Sequence, residues 1–362
     1  MSNKRDQVVV GIQITQLTYS RFFPRRRRQL LHEVIAPIVR RLETVDLLHD
    51  TKKLKKLRWL LGFICPELTI ARDKAPRFSD LNQQHKLETK IVDIGASDID
   101  WPPPYESMLD EGATLLGFEP SESAFQNLLQ DPKPNREYLQ VAVGDGEKKL
   151  LNFFNDPGMT SCLPPNNTVL DIFFPYNTEV TKSEEIQTKR LDEIDEIDGI
   201  DLLKMDIQGF ELEVLRNATT KLASTLVVDI EVSFVELYEG QPLFSDIERF
   251  LRQHGFQFHR FNYDADPALE GTQLQTVGPS WMVTGTGIVS YNKGQALWTD
   301  AIFVRDFTRL DVLAAEKILT MARVLHDSYQ SYDLVNLLLA EYDRRTGLSI
   351  SADYLSGNAL SD

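Results

Sequence analysis

From residue 90 to residue 256 the chain alternates short, near-continuous apolar runs with segments whose apolar residues recur every three or four positions. The runs IVDIG (91–95), TLLGFEP (114–120), YLQVAVGD (138–145), KLLNFF (149–154), DLLKMD (201–206) and TLVVDIEV (225–232) are predicted strands. Between them, ESMLDEG (106–112), SESAFQNLL (121–129), GFELEVLRNA (209–218) and SDIERFLRQHG (245–255) are predicted helices. In the last of these, Ser245 is the expected N-cap and Gly255 the expected left-handed stop. Apolar strands alternating with helices predict a mainly parallel sheet covered on both faces.

Outside this stretch the period is helical. Residues 25–62 and 311–345 read as helices, VVVGIQI (8–14) as a short strand, and ARDKAPRFSDLNQQHK (71–86) as a linker. The expected organisation is a mainly helical N-terminal extension over 1–87, a core domain over 88–306 and a helical C-terminal extension over 307–362. The acidic run LDEIDEIDGID places Leu191, Ile194 and Ile197 at helical spacing, which predicts a short helix with a solvated acidic face rather than a metal site. No metal is expected.

Net charge divides the chain. Residues 1–60 hold 14 Lys and Arg against 5 Asp and Glu, a local +9, so the remainder carries −24 of the total −15. An acidic body disfavours nucleic acid as a partner. The basic stretch reads as the solvated face of helices, with weak contact to an acidic membrane surface as its alternative. Cys65 and Cys162 form neither a disulfide framework nor a zinc pattern. No run reaches the roughly 18 apolar residues of a membrane span, and the N-terminus lacks a signal-peptide core, so a cytoplasmic location is expected.

The strand ends carry the candidate chemistry. In a doubly wound sheet ligands sit at the carboxyl ends of the strands. Asp93 and Gly95 end the first strand, and Glu119 ends the second, where an acid can accept hydrogen bonds from a ribose diol. A dinucleotide fingerprint would need glycines two and five residues after Gly95, and those positions hold Ser97 and Asp100. DIDWPPPY then delays the next helix, which makes a poor phosphate cradle. A ribose-binding acid without a phosphate turn suggests a nucleoside ligand with no phosphate, and S-adenosyl-L-methionine fits. A nicotinamide-dependent oxidoreductase and a non-catalytic scaffold are the rival readings.

The stretch TKRLDEIDEIDGIDLLKMDIQGFELEVLRNA (188–218) resembles the signature of the FkbM family of class I S-adenosylmethionine-dependent methyltransferases. VDIGA, GFEP, VAVGD (141–145), MTSCLPPN (159–166), EVSFVELYEGQPLFSDIERFLRQHGF (231–256) and ALWTDAIFVR (296–305) follow in the order of that family's blocks. The resemblance spans roughly 88–306. It implies a Rossmann-like, mainly parallel seven-stranded sheet, S-adenosyl-L-methionine as cofactor, and an O-methyltransferase acting on a hydroxyl of a sugar, glycan or natural product. One departure is Ile99, where the family commonly has a third small residue.

Asp93, Ile94, Gly95, Ala96 and Ser97 are then expected along the cofactor's methionine end, with Glu119 and Pro120 at the ribose and Val143, Gly144 and Asp145 at the adenine. Asp206 and Gln208 are expected at the methionine end too. Asp206, Glu231 and Glu211 are the candidate catalytic carboxylates, with the first two left as alternatives for the base. Structural alternatives exist for several: Asp145 begins an Asp-Gly turn, and Glu211 complements a helix dipole. His254 and His259 are read as structural. Phe173, Phe174, Tyr176, Trp281 and Trp298 either stack on a sugar or serve as core or dimer contacts. A small-molecule or glycan acceptor and a homo-oligomer complete the expected partners.

Overall fold

The computed structural model describes residues 78, 87–97, 103–130, 132–173, 178–262, 275–277 and 295–356. The strand expected at 8–14 and the helices expected at 25–62 lie outside these residues, as does the 71–86 linker apart from Phe78.

The parallel core is β1 (Lys90–Ile94), β2 (Thr114–Phe118), β3 (Arg136–Leu139), β7 (Leu202–Met205) and β8 (Val227–Ser233). β11 (Gln295–Arg305) lies antiparallel on β8. Its outer edge is covered by β9 (Phe256–Phe261) along one half and by the three-residue β10 (Gln275–Val277) along the other. Seven strands in the order β3-β2-β1-β7-β8-β11-β9 make the mainly parallel, Rossmann-like sheet expected, and β10 adds an eighth. A smaller sheet joins β4 (Ala142–Val143), β6 (Val180–Lys189) and β5 (Lys148–Phe154) in the order β4-β6-β5.

The predicted strand 138–145 is therefore two strands in two sheets. The chain leaves β3 at Leu139 and enters the smaller sheet at Ala142.

Side-chain alternation gives the large sheet two faces. On one, Val92, Ile94, Leu203, Met205, Val228 and Ile230 pack under α4 (Glu211–Arg216), α5 (Thr219–Ser224) and α6 (Phe244–Gln253). On the other, Ile91, Leu202, Val227, Ile302 and Val304 pack against α1 (Glu106–Asp110), α7 (Ala315–Asp327) and α8 (Tyr332–Thr346). α1 has only five residues and stops at Gly112, whose φ is +90°. It is too short to cover the sheet, and Ile318, Leu319, Met321, Ala322 and Leu325 of α7 supply the missing apolar layer. Two further helices are α2 (Glu122–Gln130) and α3 (Asn167–Phe173). The predicted helix at 311–345 is broken at 328–331, where Gln330 takes φ +50°, and resumes as α8, then α9 (Ile350–Ser356).

Two local expectations are corrected. Ser245 is not the cap of α6: Leu243 is, with its N–H held by the Asp246 carboxylate at 3.1 Å. Gly255 does provide the left-handed stop, at φ +82°. The run after residue 190 forms only a 3-10 turn at Leu191–Glu193, followed by turns. Its apolar spacing is real, because Leu191, Ile194, Ile197 and Ile200 are all buried. Its acids do local work instead of forming a helix face: Asp192 accepts the N–H groups of Thr220 and Lys221 at the start of α5.

Arg323 fastens α7 to the sheet. It is wholly buried, and its guanidinium donates to the carbonyls of Leu87, Met108 and Glu111 and to Thr89 Oγ1. Asp327 lies 3.4 Å away. Replacing it orphans these carbonyls together with a buried carboxylate, and such losses cost several kcal/mol. Arg323→Met should lower unfolding stability by about 3 kcal/mol, read by urea titration of the full chain. A loss under about 1 kcal/mol would show that the clamp is not needed.

Candidate active site

Register alone builds the site. Across the face covered by α1 and α7, one rung of the sheet is apolar: Ile91, Leu202 and Val227. Two residues nearer the carboxyl ends, the aligned residues are Asp93, Lys204 and Asp229. Beyond these come Gly95, Asp206, Glu231 and Asp300, the last two paired directly across β8 and β11. The face thus changes from aliphatic to charged within two residues, at the edge where an open α/β sheet takes its ligands.

Burying such a row is costly unless the charges are matched. Lys204 sits between Asp93 and Asp229, its Nζ 3.7 Å from Asp93 Oδ1. Burial works against its charge, but the carboxylates of Asp93, Asp206, Asp300 and Asp229 outweigh it and hold the ammonium well above its ordinary value. Two tyrosines close the ends of the row. The Tyr105 hydroxyl donates to Asp93 Oδ2, and the Tyr329 hydroxyl donates to Asp229 Oδ2 at 2.8 Å. Burial, with Asp300 next, pushes the Asp229 carboxyl up to about 8. Lys204 and both tyrosines were missed from sequence. A lysine inside the apolar run DLLKMD was the available signal.

Gly95 follows β1 at φ +88°. A Cβ there would stand 2.0 Å from the Asp206 carbonyl oxygen. The glycine is therefore required by the approach of β7 to β1, whatever ligand it faces. Ile94 points into the aliphatic core on the opposite face, so only its backbone borders the carboxyl edge. Ala96 is buried and Ser97 half-buried, and Ser97 donates its N–H to the Gly95 carbonyl at 2.8 Å.

At the end of β2, Glu119 is 7 % exposed. Its Oε1 accepts the Ser121 N–H at 2.7 Å, and its Oε2 has no hydrogen-bond partner among the described residues. Burial pushes this carboxyl up to about 7, with the Ser121 N–H working against the shift. Pro120 is half-buried beside it. Val143 packs with the aliphatic core, and Gly144 lies against Thr188. Asp145 is fully engaged: its Oδ1 accepts the Glu147 N–H at 3.0 Å, and its Oδ2 holds Lys149 Nζ at 2.5 Å. The Asp-Gly turn thus occupies its carboxylate.

The turn after β7 is the most constrained part. Gln208 has φ +54° and Gly209 φ +101°. Glu211, the first residue of α4, is buried and accepts the N–H groups of Ile207 and Gly209 at 3.0 and 3.1 Å. Burial pushes its carboxyl up to about 7, against the pull of these N–H groups. Its geometry braces the turn. Gln208 Nε2 reaches Asp206 Oδ1 at 2.8 Å and Glu231 Oε2 at 3.0 Å. Burial, then Asp206, Glu211 and Asp300, push the Glu231 carboxyl well above the usual carboxylate range.

The 159–166 loop is seated on this turn, with Ser161 Oγ donating to the Gln208 carbonyl at 2.6 Å. Trp298 packs in a small cluster with Phe154, Leu170, Leu237 and Tyr238, on the core side of its two readings. Phe173 is half-buried, and Phe174, Tyr176 and Trp281 lie outside the described residues. His254 stacks on Phe250 and His259 bonds Ser331, both structural. Among the described residues no group of three His, Cys, Asp or Glu side chains is arranged to hold a metal ion.

A family model described as methyltransferase FkbM domain matches residues 93–258. Residues 93–258 form an FkbM methyltransferase domain. The chain is thus an S-adenosylmethionine-dependent methyltransferase; Asp93, Lys204, Asp206, Asp229, Glu231 and the Gln208 turn fall inside this domain, and Asp300 lies beyond it. No curated protein matches the chain in sequence. Among solved structures it is similar to a TehB-like SAM-dependent methyltransferase from Corynebacterium glutamicum, with 13 % identity over 70 % of this chain and 97 % of that one, at a TM-score of 0.28. A methyltransferase from Streptococcus pneumoniae in complex with S-adenosyl-L-methionine gives 11 %, 77 %, 94 % and 0.30. A SAM-dependent methyltransferase from Aquifex aeolicus gives 14 %, 70 %, 99 % and 0.27. Likeness at that level decides nothing about substrate.

The FkbM turn geometry gives a paired prediction. A left-handed alanine costs about 1–2 kcal/mol from conformation alone. Gly112→Ala, with open space around its Cβ, should cost no more than this. Gly95→Ala must also displace β7, so it should cost clearly more. Thermal melts of the two variants, side by side, check the ordering; equal losses would remove the steric argument.

Proposed function

We propose that the chain transfers the methyl group of S-adenosylmethionine to a hydroxyl of a neutral sugar, glycan or natural-product acceptor. The single observation that carries the cofactor's place is the buried Glu119 at the carboxyl end of β2, whose Oε2 has no hydrogen-bond partner among the described residues. A vicinal diol supplies the two donors such a carboxylate lacks. The sequence after Gly95 lacks the glycines of a phosphate cradle, which favours a ligand without phosphate there. The acidic mouth suits a cationic sulfonium and ammonium.

When bound, the cofactor supplies a methyl group already activated by the sulfonium charge. The protein's work is placement and proton removal. Burial, then Asp206, Glu211 and Asp300 around it, pushes the Glu231 carboxyl upward and favours its protonated form. Asp206 is then the base that takes the acceptor hydroxyl proton, with one oxygen held by Gln208. Glu211 fixes the turn that carries both. The expected base of the pair is Asp206.

An edge built of six carboxyl groups (Asp93, Asp206, Glu211, Asp229, Glu231 and Asp300) around one ammonium, Lys204, disfavours phosphorylated or carboxylated acceptors, whose charge would add to theirs. No described helix is long and apolar enough to cross a membrane. A cytoplasmic location, a homo-oligomer and weak membrane contact by the basic N-terminal stretch belong to the same proposal.

Calorimetric titration of S-adenosylhomocysteine tests the cofactor site. Glu119→Ala should weaken binding about 10- to 100-fold, the range for hydrogen bonds to a charged group. Because the diol needs the ionised carboxylate, and that carboxyl holds its proton up to about 7, wild-type affinity should rise between pH 6 and 8. Glu119→Gln should lose that slope. NADH should not bind, and NADH binding would overturn the reading.

Methyl transfer from radiolabelled S-adenosylmethionine to a panel of neutral sugars tests the chemistry. Asp206→Asn should lower the rate at least 100-fold, the lower bound for a lost general base. The labelled product should survive mild alkali as a methyl ether. Label released as methanol would mark an ester and exclude hydroxyl transfer.

A further inference from the structure

Gln208 is held at φ +54°, a left-handed conformation that strains a non-glycine residue, so the surrounding contacts must determine it. Its Nε2 carries two hydrogens, and both are committed, one to Asp206 Oδ1 and one to Glu231 Oε2. Turned over, the amide would withdraw both hydrogens from Asp206 and Glu231 and aim its oxygen at their carboxyl oxygens instead. On the other side of the amide, the Tyr238 hydroxyl donates to Gln208 Oε1 at 3.0 Å.

Tyr238 is rigidly placed. It is buried, packs with Phe154, Leu170 and Leu237, and meets the Phe154 ring edge-on at 6.2 Å. Gln241 fixes its backbone: Oε1 accepts the N–H groups of Leu237 and Tyr238, while Nε2 donates to Ser233 Oγ at 2.8 Å. The hydroxyl has one proton and two acceptors within reach, Gln208 Oε1 and the Met159 carbonyl at 2.9 Å. With Nε2 facing the carboxylates, Oε1 requires that proton.

We propose that Tyr238 is a positioning residue: its hydroxyl anchors Oε1 of the Gln208 amide and thereby keeps Nε2 on the Asp206–Glu231 pair. The inference rests on that pair being the base site, but its test needs neither cofactor nor acceptor, so it can fail while the methyltransferase reading stands.

The measurement is a carbon-13 carboxyl titration of the full chain, labelled at Asp and Glu, in wild type, Tyr238→Phe, Gln208→Met and the double variant. Loss of an N–H donor to an ionised carboxylate should raise the Glu231 midpoint by about one pH unit. Tyr238→Phe and Gln208→Met should both show this rise, and the double variant should add nothing to either. A role confined to packing would not move the midpoint. If Gln208→Met raises it and Tyr238→Phe leaves it at the wild-type value, Tyr238 does not orient the amide and the proposal is wrong. If neither moves it, Gln208 does not hold the pair. Should Tyr238→Phe fail to fold, the hydroxyl-proton resonance of Tyr238 is followed instead: it should shift in Gln208→Met, and an unmoved resonance overturns the contact.

Discussion

Carboxylates at the carboxyl edge of a parallel sheet must be neutralised or protonated, and here one lysine does most of that work. Lys204 lies in the middle of a strand whose neighbours are aliphatic, flanked by Asp93 on β1 and Asp229 on β8. It allows the face to pass from Ile91, Leu202 and Val227 to fully charged residues without an unmatched row between. Tyr105 and Tyr329 terminate the row from opposite sides. Tyr329 belongs to the link between α7 and α8, so the C-terminal helices do more than cover apolar surface. They complete the hydrogen bonding of the strand beside the active edge.

The architecture was largely legible because buried parallel strands write themselves as apolar runs. β1, β2, β7 and β8 fell within a few residues of expectation for that reason. β6 was not seen: VTKSEEIQTK is almost wholly exposed, pairs along an edge sheet and has no apolar alternation to betray it. α3 gives little signal in the sequence, because only its Leu170 is buried. The acidic run showed the opposite fault, since spacing of three carries burial equally well in successive turns.

What was legible of the site is position: Glu119, Asp206 and Glu231 stand at or beside the strand ends where the sequence puts them. The site was not legible where register decides. Nothing in the sequence says that Lys204 stands opposite Asp93, or that Tyr238 reaches Gln208 across 30 positions. Gly95 was expected to make room for a ligand, and its first requirement is room for the Asp206 carbonyl. Glu211 was placed among the catalytic candidates, and its carboxylate is spent on the N–H groups of the turn. Asp145 was divided between adenine and turn, and its oxygens are taken by Glu147, Thr188 and Lys149.

The central claim is that the charged edge seats the cofactor with its ribose on β2 and its methionine end over β1 and β7. A crystal structure of the full chain with S-adenosylhomocysteine measures this directly. The account predicts both ribose hydroxyls within hydrogen-bond distance of Glu119, and the thioether sulfur facing the Asp206–Gln208 turn. A ligand bound elsewhere, or a ribose held without Glu119, would contradict it.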